Sequence, residues 1–238
     1  MSAAWALAWR IALRRRRLLV LNVLVPLVLV GPVALADAPT QHAAAVYAVL
    51  FVTFATFGAA IPWVRDGESG WLERLALRGL PPAALVLGRT AAAAALDFLQ
   101  LAPAAVLIAG VSRAGPAQVA ALAGALAVAL ALANLLGCWV AALARSVAEA
   151  ALFGAVSALL LLHGAGTFRT PVPGSLGAAV EGWIPFRLLH ESLLAVAGGG
   201  PPPGPVLWGT GVAVTLLAAG ITVLGAPWMV ARLTRPEG

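Results

Sequence analysis

Six stretches of this chain run for about 20 residues or more with almost no charge, and that repetition constrains every other reading. A helix rises about 1.5 Å per residue, so about 20 apolar residues cross the hydrocarbon core of a bilayer. Inside lipid the backbone must satisfy its own hydrogen bonds, and for separate apolar stretches the helix does so. The stretches fall at about 18–36, 43–64, 83–111, 117–143, 148–166 and 205–230. Of the 238 residues, 62% are hydrophobic and 10% charged, whereas a soluble domain carries about 25% charged residues. The fold class predicted is an all-α membrane protein with six transmembrane helices, and residues 1–238 read as a single transmembrane domain lying in the lipid bilayer.

Three segments are not spans. Residues 2–17 set Trp5, Leu7, Trp9, Ile11 and Leu13 beside Arg10 and Arg14 to Arg17. That mixture reads as an N-terminal interfacial helix, with tryptophan at headgroup level and arginine on the wet side; a short basic tail that only sets topology is the alternative. Residues 168–204 are rich in Gly and Pro, broken at Pro185 and closed by Gly198 to Pro203. They are too interrupted to cross and too apolar for a free loop, and read as a re-entrant or surface-lying hairpin before the last span. Residues 65–89 form the largest charged island.

Arginine counting orients the chain. With the N-terminus in the cytoplasm, Arg10, Arg14 to Arg17, Arg65, Arg74, Arg78, Arg89, Arg145, Arg232 and Arg235 lie inside, and only Arg113, Arg169 and Arg187 lie outside. Six spans put both basic termini on the cytoplasmic side of a cytoplasmic (inner) membrane. Arginines flanking spans also account for the net charge of +6, so no nucleic-acid partner is implied.

Several chemistries are excluded. Every basic residue is Arg, and a P-loop needs a Lys for the nucleotide phosphates, so this chain has no P-loop of its own. No H-E-x-x-H or Cys/His cluster is present, and His42, His163 and His190 lack ligand companions, so no metal site and no cofactor on this chain are expected. No G-x-S-x-G elbow marks a nucleophile. Catalytic residues are accordingly expected to be absent. The lone Cys138 forms no internal disulfide.

Within the island, a short cytoplasmic helix is expected at about 67–80. Ser69 is placed as its N-cap. Trp71, Leu72, Leu75 and Ala76 form an apolar face, Glu73, Arg74 and Arg78 stay wet, and Pro81-Pro82 ends it. A solvated loop bearing positive-inside arginines is the competing account. Within the spans, Asp97 and Gln100 stand one turn apart in the third. A carboxylate there costs at least ~2.5–3.5 kcal/mol on insertion scales and so faces protein or water. Asp97 either lines a substrate path or binds a cation, or it bonds another helix or is protonated. Asn134 reads as a structural hydrogen-bonder, and Arg145 and Glu149 as a local i, i+4 pair. Glu181, Arg187, His190 and Glu191 in the hairpin either gate an exit or make a solvated face, the second being the simpler account.

The stretch Arg65-Asp66-Gly67-Glu68-Ser69-Gly70-Trp71-Leu72-Glu73-Arg74-Leu75, then Leu80-Pro81-Pro82 and Gly88-Arg89, resembles the signature of ABC-2-type transporter permeases. That signature is an acidic residue, E-x-G-x-L-E-x-L, a Pro-containing turn and a small-basic pair opening the third span. Trp71 stands where the pattern has a small polar residue. The stretch is also similar to the heme-exporter permease subunit of cytochrome c maturation, and Trp183-Ile184-Pro185-Phe186-Arg187 is similar to the family's aromatic-Pro motif. The resemblance implies an exporter subunit, not an enzyme, with the short helix as a coupling helix docked on a separate cytoplasmic P-loop ATPase that carries ATP-Mg. It implies Glu68, Gly70, Trp71, Leu72, Glu73, Arg74 and Leu75 as coupling residues, with Trp71, Leu72 and Leu75 as the apolar anchor. A second permease copy, a homodimer, would enclose the pathway. The alternative is a six-span scaffold or lipid-modifying enzyme without an ATPase partner.

Overall fold

A computed structural model describes residues 9–10, 14, 16–36, 38–169 and 174–234. The interfacial helix expected at 2–17 falls mostly outside these. The described residues form helices and turns and no strand. In chain order the helices are α1 Arg16–Leu35, α2 Thr40–Glu68, α3 Trp71–Leu77, α4 Pro82–Val111, α5 Pro116–Leu143, α6 Val147–Gly164, α7 Leu176–Glu181, α8 Phe186–Gly198 and α9 Pro205–Thr234. Six of them, α1, α2, α4, α5, α6 and α9, are long and apolar enough to cross a membrane.

Local chemistry sets the ends. Helices α4, α5 and α9 each begin on a proline, whose fixed φ and missing N–H suit the first helical position. Helix α6 begins with Ser146 Oγ accepting from the Glu149 amide at 3.2 Å, while Glu149 Oε2 accepts from the Arg145 amide at 2.8 Å. The expected Arg145–Glu149 side-chain pair is thus a backbone cap, because the start of a helix leaves amide donors to satisfy.

The connecting turns make the six spans alternate in direction. One end of the bundle, the basic end, carries Arg65, Arg74, Arg78, Arg145 and Arg232; the opposite end, the hairpin end, carries α7 and α8. Helix α2 lies at the centre and packs most extensively on α5 and α6. The α2–α5 contact is close because Gly137 admits it: a Cβ there would sit 2.6 Å from Ala59 Cβ and 2.7 Å from the Thr56 carbonyl. Small residues serve this purpose in membranes, where lipid is as apolar as leucine and close backbone approach supplies the packing. On the other flank of α5, Trp139 fills a notch at Gly225 and donates Nε1–H to Thr222 Oγ1 at 3.0 Å.

Two apolar clusters divide the core. One joins residues of the hairpin-end half, among them Tyr47, Phe51, Leu101, Leu126, Phe186 and Leu189. The other joins the basic-end half, with Trp63, Leu72, Leu75, Leu85, Met229 and Val230. Between them along α2, α4 and α5 lie the buried Thr56, Asp97 and Asn134.

The hairpin is two short helices, neither long enough to cross. Most of α8 is buried against α2, α5 and α9. Gln118 at the start of α5 ties it down, donating to the carbonyls of Ala195 (3.0 Å) and Gly200 (2.7 Å). The solvated face expected for the hairpin charges does not hold for two of them. Glu181 is 1% and His190 3% exposed. Glu181 turns inward because two arginines meet it there, Arg169 at 2.8 Å and Arg187 at 3.7 Å, and a buried carboxylate needs such partners. Burial of the His190 imidazole, with the Arg187 charge as a smaller cause, lowers its pKa to about 4.

Candidate functional site

The basic end carries the charged segment that joins the second and third spans. Helix α2 continues past the expected end of its span to Glu68, so the separate helix is shorter than expected, Trp71–Leu77. Ser69 is not the N-cap of α3. It closes α2, with its amide bonded to the Arg65 carbonyl and its hydroxyl donating to the Asp66 carbonyl at 3.1 Å. The N-cap is Gly70 at φ +66°, a left-handed conformation that glycine adopts without a Cβ penalty. Gly79 at φ +74° ends the other side of α3. At both glycines an added Cβ would meet nothing within 4 Å, so backbone conformation, not crowding, selects glycine there.

Between these two turns α3 is amphipathic in a definite direction. Leu72 and Leu75 are buried in the basic-end cluster with Trp63, Val64, Leu85 and Met229. They were expected to anchor a partner. The bundle takes them instead, since a seven-residue helix has one apolar face and gains most by covering it at once. Glu68, Glu73, Arg74, Leu77 and Arg78 are exposed, with Leu77 80% exposed despite its apolar side chain. Arg74 Nη2 donates to the Ser69 carbonyl at 3.1 Å. An open cleft of about 510 Å³ adjoins α3, lined by Gly67, Glu68, Gly70, Glu73, Arg145 and Arg232 among others. Gly67 lets α9 close one wall: a Cβ there would lie 2.5 Å from the Leu233 carbonyl.

Arg89, in the second turn of α4, joins the pieces. Its Nη2 pairs with Asp66 Oδ2 at the end of α2. Its guanidinium carbon lies 4.2 Å from the ring centroid of Trp63 on α2 and 5.5 Å from that of Trp71, the first residue of α3. A guanidinium can do both because it is planar, stacking through its faces while its edge pairs with a carboxylate. In the sequence, Asp66 stands only as a letter of the family motif and Arg89 only as a motif letter and one of the arginines that orient the chain. The available signal was one acidic and one basic residue at the two helix ends that bracket the island.

Asp97 and Gln100 are elsewhere, 6% and 8% exposed in the bundle interior. Asp97 Oδ2 accepts from Asn134 Nδ2 at 2.8 Å, and Asn134 also donates to its own helix at Leu130. A Cβ at Gly58 would lie 3.3 Å from Asp97 Oδ1, so α2 closes over this pair. The arrangement matches the reading in which Asp97 bonds a neighbouring helix. No group of three or more potential metal ligands occurs among the described residues.

The family model for the ABC-2 type transporter matches residues 1–186, more than half of the chain. The chain belongs to the ABC-2 type transporter family. It is therefore a multi-pass membrane protein and a transmembrane subunit of an ABC transporter. The match spans α1 to α7 and stops at the first residue of α8. No curated protein and no solved structure matches the chain. In this ABC-2 subunit, the exposed face of α3 and the adjoining cleft form the candidate site at the basic end.

Proposed function

We propose that this subunit is an exporter permease driven by a separate cytoplasmic ATPase, with α3 as the helix on which that ATPase pushes. The observation that carries the reading is the division of α3 into a buried face and an exposed one. Leu72 and Leu75 root the helix in the bundle, while Glu73, Arg74, Leu77 and Arg78 face outward. An apolar residue ringed by charge, covered only when a partner docks, is the usual anatomy of a docking patch, and exposed Leu77 with its charged neighbours supplies one. The absence of Lys supports an energy source on another chain. Two copies of the permease would enclose the pathway, and the basic end would face the cytoplasm with both termini. The likeness of residues 65–89 to heme-exporter permeases supports a heme-exporter-like role as the narrower form of the same reading.

The docking test uses Leu77→Asp with Glu73→Arg, both outside the core. Co-purification of an ATPase subunit from native membranes should fall at least tenfold while the permease keeps its thermal stability. Undiminished co-purification would remove α3 as the docking element. For orientation, a cysteine at Pro202 should react with a membrane-impermeant thiol reagent on intact cells and one at Ala76 should not; the opposite pattern would invert the topology.

A further inference from the structure

We propose that Arg89 is the positioning residue that carries displacement of α3 into α4, the third span. The inference rests on the reading of α3 as the driven helix and adds the route by which its movement enters the membrane.

Helix α3 is joined to its neighbours in sequence by two glycine turns. Gly70 and Gly79 are both left-handed, and both have open space where a side chain would be. The link toward α4 runs through exposed Arg78 and Gly79 before Pro81. Glycine adopts left- and right-handed backbone about equally readily, so these turns can change angle at little conformational cost. The backbone of α3 packs chiefly on α2 and α9. Its first residue, Trp71, is under the Arg89 guanidinium, and Arg89 is rooted two turns inside α4.

The same guanidinium is fixed to α2 by Asp66 and by the ring of Trp63. Three helices therefore meet on one planar cation. Its Nη1 is buried and makes no hydrogen bond, so the group is held by one carboxylate and two ring faces and not by a full set of acceptors. Ring faces resist separation yet permit sliding, because a cation–π contact has no single preferred azimuth, whereas hydrogen bonds lose strength steeply with angle. A rotation of α3 about its glycine turns would move Trp71 and draw Arg89 with it. Lysine keeps the charge but not the flat faces, so it should pair with Asp66 and grip Trp71 poorly.

The test places one environment-sensitive fluorophore at a time, on Ser69→Cys beside α3 or on Val106→Cys, an exposed position in the far half of α4. Each is carried by the permease in complex with the ATPase that co-purifies with it, with and without ATP-Mg and vanadate. In the wild type both probes should respond to trapping. In Arg89→Met the ATPase should still co-purify and the Ser69 probe should still respond, while the Val106 response falls at least fivefold. Arg89→Lys should recover less than half of it. Trp71→Leu, which leaves Arg89 and Asp66 in place, should reproduce the loss and serves if Arg89→Met does not fold. An undiminished Val106 response in Arg89→Met or Trp71→Leu would overturn the proposal. So would loss of the Ser69 response or of the ATPase in either variant, since Arg89 would then merely hold α3. A wild-type permease that retains no ATPase would instead refute the reading of α3 itself.

Discussion

Helices α3 and α7 are both too short to cross a membrane, lie at opposite ends of the bundle, and are built inside out relative to each other. Helix α3 buries Leu72 and Leu75 and exposes Glu73, Arg74 and its C-cap residue Arg78. Helix α7 buries Glu181 and exposes Leu176 and Val180, and Trp183 just beyond its end is exposed too. An amphipathic segment turns its charged side to whichever neighbour can solvate charge. For α3 that neighbour lies outside the bundle. For α7 it is the interior, where Arg169 and Arg187 meet Glu181, and the outward face is left apolar, with Trp183 suited to a lipid interface. One bundle thus presents a polar platform at one end and an apolar rim at the other.

Exchanging the logic of the two helices should break them unequally. Leu72→Glu places a carboxylate in the basic-end cluster, where the other buried residues are apolar. A loss of about 4 kcal/mol is expected, read as a collapse of the thermal transition in detergent; a stable variant would mean α3 swings free of the bundle. Glu181→Ala strands Arg169 and Arg187, but these side chains are 48% and 24% exposed. The expected loss is therefore smaller, about 2 kcal/mol, and Glu181→Gln should lose less than Glu181→Ala. Equal losses would show that the volume of the side chain matters and its charge does not.

The smallest effect is pH-dependent and confined to the hairpin end. His190 is buried, and its pKa lies near 4 in the fold against an ordinary 6.5. Below pH 6.5 the unfolded chain takes up a proton that the folded chain refuses, so stability is lost as pH falls from 6.5 toward 4. A His190→Gln variant should lose less stability than the wild type across that window. Parallel curves for the two proteins would show that His190 is not held neutral.

Much of this was legible in order along the chain. The island at 65–89 announced itself by charge density, and the break after Pro81 by proline chemistry. The expected span ends where hydropathy stops at Val64, while the hydrogen-bonded helix runs on to Glu68; a backbone already helical continues until Gly70 stops it. Ser69 was misassigned for the same reason, since a serine after a charged run can close one helix as readily as it opens the next. Glu181 and His190 looked solvated because charge beside glycine and proline usually is. Their burial depends on Arg169, Arg187 and the walls of α2, α5 and α9, which the linear order does not place beside them.

What the sequence determined by itself is the number of spans, their alternation, the absence of a P-loop and the presence of a short helix between the second and third. These follow from rules that act within about 20 residues: lipid forbids unsatisfied backbone, arginine favours one side, and glycine and proline end helices. What only the tertiary structure decided is which face of α3 is spent on the bundle, where Asp97 finds Asn134, and how Arg89 comes to lie on Trp63, Trp71 and Asp66. Those pairings join separate helices, and their geometry is set by side-chain packing across the bundle, which no local pattern encodes.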